Sequence, residues 1–221
     1  MLKKWMGLYD LEKDMDMDTL TRIAALALLF VLSGLWGWAY ESVFYWINSG
    51  CGVWYWRGMF GPWIDIYGFG GLLIYFTTRR LRSSPWKVAL VSGIGAGVLE
   101  LVMGAGLFFF AGGFRGWNYN TEILNFGNIC GFICLRSVLV FALSGLMLVY
   151  AVRPATLWLA ARMPKGLFRA VSLALAALFL ADFLYTDILQ TRIPGTVGPK
   201  ELYHTRFGFQ LMEFTQGLLN G

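Results

Sequence analysis

Charged side chains are scarce in this sequence of 221 residues. Asp, Glu, Lys and Arg together make up only 14% of it, whereas 57% of the residues are hydrophobic. A soluble domain carries about 25% charged residues, so the composition excludes that class and indicates an integral membrane protein. The formal net charge of +5 does not indicate nucleic-acid binding, because the basic residues form no run and there is no soluble domain.

Conventional metal ligands are also few. The sequence has one histidine, His204, and three cysteines, none of them in a C-x-x-C pair. A zinc or haem site needs more such ligands, so we expect neither a metal nor another cofactor. The cysteines are interpreted as small apolar packing residues. An extracytoplasmic disulfide between Cys51 and Cys130 is the alternative.

Common nucleotide-binding and catalytic motifs are missing as well. There is no G-x-x-x-x-G-K-[ST] phosphate loop, so the chain cannot itself drive transport with ATP by that route. Neither G-x-S-x-G nor H-E-x-x-H occurs, and a Ser-His-Asp triad would have to use His204. Enzymatic activity stays an open alternative, because a buried carboxylate can act as a general acid or base.

Long apolar segments dominate what is present. A spanning helix needs about 20 mostly apolar residues, because the hydrocarbon core of a bilayer is about 30 Å thick. Five candidates are Leu20–Asn48, Trp63–Thr78, Trp86–Ala111, Ile129–Val152 and Phe168–Gln190. The second is short, glycine-rich and preceded by a Gly-Pro turn, so we expect it to be short or partly re-entrant. The sequence predicts an all-α, polytopic transmembrane helix bundle of about five spans.

The segments outside the spans define the predicted organisation. We expect a cytoplasmic N-terminal segment over residues 1–19, a transmembrane helical domain over 20–190, and an extracytoplasmic or interfacial tail over 191–221. The end of the tail, FGFQLMEFTQGLL, is typical of an amphipathic interfacial helix, which would make a sixth span if it inserts. Residues 1–18 are too polar for a signal peptide, so we expect no cleavage.

Basic residues predict the orientation in the membrane. With five spans, twelve of the 18 basic residues fall on one side: Lys3, Lys4, Lys13, Arg22, Arg79, Arg80, Arg82, Lys87, Arg153, Arg162, Lys165 and Arg169. Because basic residues concentrate on the cytoplasmic side, we expect the N-terminus in the cytoplasm, the C-terminus outside, and the protein in the plasma (inner) membrane.

Four predicted spans carry a charged residue in their outer half. These residues are Glu41, Glu100, Arg136 and Asp182. Such groups cost roughly 2.5–3.5 kcal/mol each at a helix centre on insertion scales, and they face a bundle interior or a wet cavity. We therefore expect a polar pocket on the outer side of the bundle.

The spacing of small and polar residues supports that expectation. Gly93, Gly97, Glu100 and Gly104 share one face of the third span, and glycines at this spacing let another helix approach closely. In the fourth span, steps of four would place Asn128 and Arg136 on one side.

The candidate ligand-binding or ion-pathway residues combine these groups with polar and aromatic neighbours. They are Glu41, Glu100, Arg136, Asp182, Asn128, Trp38, Tyr67, Trp117, Tyr119, Arg57 and Asp65. With three acids and one arginine, the pocket suits a small polar or cationic ligand or a lipid head group. The alternative is a buried ion-pair network, such as Glu100 with Arg136, that only holds helices together. The tryptophans and tyrosines can also form interfacial belts.

Several motifs, in order, resemble those of a known family. They are Gly37-Trp38-x-x-Glu41, Asn48, Arg57-Gly58, Gly61-Pro62-x-x-x-Ile66-Tyr67-Gly68-Phe69-Gly70, Glu100, Trp117-x-Tyr119, Asn128-Ile-Cys-Gly131-Phe-Ile-Cys134-Leu135 and Val149-Tyr150-x-x-x-Pro154. Together they resemble the CmpB-like family of ABC-transporter type IV permeases, small membrane proteins that include related animal transmembrane proteins. The chain departs from the family at Asp65, where proline is usual, and at Asn118, where aspartate is usual.

The resemblance implies transport, and the sequence alone leaves three functions open. The first is a permease-like component that binds a small solute, an ion or a lipid head group. A separate ATPase or a gradient would supply its energy, and Thr156–Phe168 could dock such a partner. The second is a membrane-embedded enzyme that acts on a lipid or lipid-linked substrate through Glu41 or Glu100. The third is a structural scaffold. A homo-oligomer is compatible with each of them.

Overall fold

The computed structural model describes residues 17–49, 59–110, 112–113, 115, 117–190, 193 and 195–199. Within these ranges the regular structure is helical, apart from one isolated antiparallel bridge between Ile129 and Ile133. The predicted all-α class is therefore confirmed.

Six α-helices account for most of this part of the chain. They are α1 (Thr19–Ser49), α2 (Asp65–Thr77), α3 (Pro85–Phe110), α4 (Leu135–Met147), α5 (Arg153–Arg162) and α6 (Lys165–Phe183). A short 3-10 helix covers Tyr119–Thr121, and π-helical segments cover Leu148–Val152 and Leu184–Leu189.

Four segments are long and apolar enough to cross a membrane. They are Thr19–Asn48, Pro85–Phe110, Leu135–Arg162 and Lys165–Thr186. The 13 residues of α2 extend over only about 20 Å at ~1.5 Å per residue, against a hydrocarbon core of about 30 Å. The second predicted segment is thus a short helix, as its length and glycine content indicated.

The chain folds as two compact units. One contains Gly70–Trp158, and its main packing is α3 against α4. The other contains Met17–Phe69 and the described residues from Leu159 onward, and its main packing is α1 against α6. We refer to them as the α3–α4 unit and the α1–α6 unit.

The glycine face of α3 packs closely against α4. Gly93, Gly97, Glu100 and Gly104 are all buried, and a Cβ atom on Gly93 would lie 3.0 Å from the carbonyl oxygen of Val138. The opposite face of α3 is exposed and apolar, as expected for a surface that contacts lipid. The helix therefore turns its single carboxylate toward α4, as the spacing predicted.

Aromatic rings hold the α1–α6 unit together. Phe30 of α1 contacts Phe179 of α6 with ring centroids 4.5 Å apart, and Trp63 stacks on the same ring at 5.0 Å. At the start of α1, Asp18 accepts the backbone N–H of Thr21 at 3.0 Å. This cap satisfies one of the N–H groups that a helix N-terminus leaves without a partner.

Helix α4 begins six residues later than the fourth predicted span. Cys130 and Gly131 have positive φ angles of 53° and 79°, and residues 129–133 form a tight turn closed by the Ile129–Ile133 bridge. A right-handed helix cannot pass through two consecutive left-handed residues. Asn128 therefore does not share a helical face with Arg136, and that part of the prediction is wrong.

The same span continues beyond the predicted end to Arg162. Pro154 lacks an N–H and would clash with the carbonyl four residues earlier in a regular helix, and the wider π-helical turn Leu148–Val152 precedes it. As a result, Arg153 lies inside a continuous helical segment and is only 2% exposed. Arg82 is also buried, with its guanidinium over the Tyr75 ring. Arg82 and Arg153 are therefore buried side chains and not charges on a solvent-exposed loop. The orientation of the protein in the membrane stays a prediction.

Two glycines of α3 provide a test of the close packing. Gly93→Leu should destabilise the protein by about 1–3 kcal/mol, because the added side chain must displace the α4 backbone. Gly95→Leu is the matched control, since nothing lies within 4 Å of a Cβ atom at that position. It should leave stability unchanged or raise it by up to roughly 1 kcal/mol through helix propensity. Thermal unfolding in detergent measures both, and equal shifts would contradict the packing.

Candidate functional site

Glu100 is the centre of the candidate site in the α3–α4 unit. The residue is 8% exposed, and its Oε1 atom accepts a hydrogen bond from the hydroxyl of Tyr119. Its Oε2 atom is buried and has no hydrogen-bond partner among the residues that the structure describes. A buried acceptor without a partner is costly, so this oxygen calls for a functional explanation.

Arg136, near the start of α4, brings a second carboxylate to the site. Its guanidinium forms an ion pair with Glu122, with Nη2 and Oε2 2.5 Å apart, and both side chains are about nine-tenths buried. The guanidinium carbon also lies 5.3 Å from the centre of the Tyr119 ring, and its charge acts on Glu100. We call Glu100, Tyr119, Glu122 and Arg136 the Glu100 cluster.

Glu122 is the residue of this cluster that the sequence analysis missed. A signal for it exists, because Glu122 is the one acidic residue between α3 and α4. It also follows the Trp117-x-Tyr119 motif by three residues. Its side chain reaches Arg136 only because the 3-10 helix at residues 119–121 turns the chain back toward the start of α4.

Tyr119 is a permanent hydrogen-bond donor in the cluster. Burial raises the pKa of its hydroxyl well above the ordinary value, and the charge of Glu100 and the hydrogen bond to it raise the pKa further. Tyr119 therefore stays neutral under all physiological conditions and always has a proton to donate to Glu100.

The loop between α3 and α4 holds Tyr119 in place through its own hydrogen bonds. The backbone N–H of Tyr119 donates to the carbonyl of Gly131 at 3.0 Å, and the Trp117 indole N–H donates to the carbonyl of Phe132 at 2.8 Å. Asn128 accepts the backbone N–H of Gly131 at 2.8 Å and donates to Asn120 at 2.7 Å. The polar atoms of Trp117 and Asn128 thus shape the loop that carries Tyr119.

The backbone at Gly131 is closely packed against the side chains of the same loop. A Cβ atom at Gly131 would lie 2.5 Å from Oδ1 of Asn118 and 2.9 Å from Nη1 of Arg115. Arg115 itself lies against the Phe108 and Phe132 rings and donates to the carbonyl of Cys130 at 2.8 Å. With a φ of +79° as well, the position requires glycine.

Asp182 has a different environment in the α1–α6 unit. Its Oδ1 accepts the backbone N–H of Phe60 at 3.0 Å, and its Oδ2 accepts the N–H groups of Gly61 and of the Trp63 indole, both at 2.8 Å. Both carboxylate oxygens are therefore used within the protein, and Asp182 anchors the segment that leads into α2.

The other predicted site residues of the α1–α6 unit lie on α1 and α2. Trp38 and Glu41 are half-buried on α1, and Asp65 is the first residue of α2. The Tyr67 ring contacts Gly37 so closely that a Cβ atom there would lie 2.1 Å from the ring. Arg57 lies outside the described residues.

Cysteine and acidic side chains form no evident metal centre in the described ranges. No three His, Cys, Asp or Glu side chains there are close enough to hold a metal ion. Cys130 is an exposed free thiol and Cys134 a buried one. Cys51, the suggested disulfide partner of Cys130, lies outside the described residues.

Comparison with known proteins gives one result. The model of a family described as "putative ABC-transporter type IV" matches residues 28–187 of this chain. No curated protein and no solved structure matches it.

The raised pKa of Tyr119 predicts a loss of stability in alkaline solution. The unfolded chain releases the tyrosine proton above about pH 10, whereas the folded protein retains it. The free energy of unfolding should therefore fall as pH rises past that point, with a slope of about one proton from this residue. Unfolding midpoints measured across the alkaline range should fall less steeply in Tyr119→Phe. Identical slopes in the two proteins would show that Tyr119 ionises normally.

The contacts of Asp182 predict a graded effect of substitution. Asp182→Ala removes the acceptor for three part-buried N–H groups and should cost about 1–3 kcal/mol, because the donors are left without a partner. Asp182→Asn retains one carbonyl oxygen and should fall between alanine and the parent protein. Thermal unfolding of the three proteins tests the order, and an alanine variant as stable as the parent would contradict the anchoring role.

Proposed function

This chain belongs to the family described as putative ABC-transporter type IV, and we propose that it is a transport-type membrane component whose Glu100 cluster binds a small solute, an ion or a lipid head group. The observation that carries the proposal is the buried Oε2 atom of Glu100, which has no partner in the described structure. Ionisable groups at such positions in membrane proteins are costly, and they mark solute and ion pathways.

The contrast with Asp182 supports a binding role for Glu100. Asp182 uses both oxygens to hold the segment before α2, as expected for a structural carboxylate. Glu100 uses one oxygen for Tyr119 and keeps the other for a further partner. A ligand that donates a hydrogen bond would satisfy it.

Charge indicates which ligands suit the cluster. Arg136 is paired with Glu122, so an ionised Glu100 leaves the cluster with one net negative charge. A ligand that is positively charged, or neutral with N–H or O–H donors, therefore suits the site better than an anion.

The source of energy would lie outside this chain. The sequence has no phosphate loop, so we propose that a separate ATPase or an ion gradient drives transport. The cytoplasmic docking segment would be Thr156–Phe168, if the N-terminus is cytoplasmic as the basic residues predict.

Native mass spectrometry of protein released gently from its own membrane tests the binding role. The parent protein should carry a bound small molecule, ion or lipid that is absent from Glu100→Gln, because the amide removes the negative charge. Asp182→Asn is the matched control: it makes the same change in a carboxylate whose oxygens are already used, so it should retain the ligand.

Two outcomes would contradict a binding role. If the parent protein and Glu100→Gln are both unliganded and equally stable, the cluster is a structural ion-pair network. If Glu100→Gln retains the ligand, the ligand binds elsewhere.

Turnover of a bound lipid that stops in Glu100→Gln while binding persists would indicate the enzymatic alternative.

A further inference from the structure

We propose that Glu100 is an exchangeable proton site. Its Oε2 atom binds one proton when no other ligand is present and releases that proton to water when a ligand binds. This inference rests on the proposed function and deepens it, because it identifies the ion that the cluster exchanges. The proton leaves as hydronium, and a carboxylate remains that is still hydrogen-bonded to Tyr119.

The charges of the cluster support a proton at Glu100. Glu122 and Arg136 form an ion pair at 2.5 Å, which leaves no other basic group within the Glu100 cluster to neutralise Glu100. The cluster is neutral only when Glu100 carries a proton. Because an unneutralised carboxylate is very costly in an apolar interior, the neutral state is the stable one in the absence of a ligand.

The hydrogen bonds support the same assignment. Tyr119 donates its hydroxyl hydrogen to Oε1. Ser137 lies beside Glu100, but its hydroxyl donates to the carbonyl of Cys134 at 2.8 Å. Oε2 itself accepts no hydrogen bond from a donor among the described residues, which suits a protonated carboxyl group better than a charged one.

A metal cation suits the site less well. Hard cations such as calcium take about six to eight oxygen ligands, and no three His, Cys, Asp or Glu side chains of the described residues are grouped so that they could hold a metal ion. On the same face of α3, three residues before Glu100, a Cβ atom on Gly97 would lie 3.1 Å from side-chain atoms of both Ile133 and Val138, so the packing there is close and apolar. A proton needs neither more ligands nor more room.

Other ionisable groups face Glu100 from two elements. The loop between α3 and α4 contributes Tyr119 and Glu122, and the start of α4 contributes Arg136, with Cys134 acting on Tyr119. Tyr119 stays neutral, and Arg136 stays charged at all relevant pH values. Glu122 is held in its ion pair with Arg136, so Glu100 is the group to which the exchangeable proton is assigned.

Infrared difference spectroscopy of the purified full-length protein in lipid nanodiscs tests the inference. The parent protein should show a protonated-carboxyl C=O band that disappears as pH is raised. The band should be absent in Glu100→Gln and present in Asp182→Asn, the matched control. Potentiometric titration should show about one proton fewer per chain in Glu100→Gln than in the parent protein.

A second variant keeps the test decisive if Glu100→Gln does not fold. Tyr119→Phe removes the hydrogen bond that stabilises the charged carboxylate, so the C=O band should persist to a pH higher by about one unit. An unchanged midpoint in this variant would overturn the role of Glu100.

The remaining outcomes separate this inference from the proposed function. Titrations repeated in sodium, potassium and choline buffers should coincide, and a midpoint that moves with sodium or potassium concentration would overturn the proton in favour of a metal cation. If the C=O band is the same in the parent and Glu100→Gln, the proton inference fails. The proposed function would still stand if native mass spectrometry shows a ligand that depends on Glu100.

Discussion

The α3–α4 unit is organised around one requirement, which is to keep the Glu100 carboxylate inside an apolar helix pair. Small residues on the same face of α3 let α4 come close enough to cover the carboxylate. A tyrosine hydroxyl from the intervening loop satisfies one oxygen. The guanidinium of Arg136 is held nearby by Glu122. An isolated buried charge is very unfavourable. The close helix packing is therefore compatible with Glu100 only because the Tyr119 hydroxyl and the Arg136–Glu122 pair lie beside it.

The loop between α3 and α4 gives the site its geometry. Left-handed conformations at Cys130 and Gly131 stop helix α4 from starting early, and the resulting turn accepts hydrogen bonds from the Tyr119 backbone and the Trp117 indole. The Asn128 side chain stabilises this turn by accepting the backbone N–H of Gly131. The loop is therefore part of the site, because it fixes the position of the hydroxyl that binds Glu100.

The carboxylates Glu100 and Asp182 illustrate why depth in a span does not by itself define a role. Both lie in apolar helices, and sequence considerations treat them alike. Asp182 meets three N–H donors from Phe60, Gly61 and Trp63, which come from residues more than a hundred positions away. Only the folded structure distinguishes Asp182, whose two oxygens both accept hydrogen bonds, from Glu100, whose Oε2 atom accepts none from the described residues.

The sequence by itself determined the membrane class, the helical fold, the approximate position of three of the four long spans and the face of α3 that carries Glu100. These follow from local composition and from helical periodicity, which depend on near neighbours in the chain. Tertiary structure alone decided that Arg136 pairs with Glu122 and that the Tyr119 hydroxyl donates a hydrogen bond to Glu100. It also decided that a π-helical turn carries the fourth span past Pro154. Each of these three features depends on backbone conformation or on contacts between distant segments. Neither the conformation nor the contacts can be deduced from the spacing of residues along one helix.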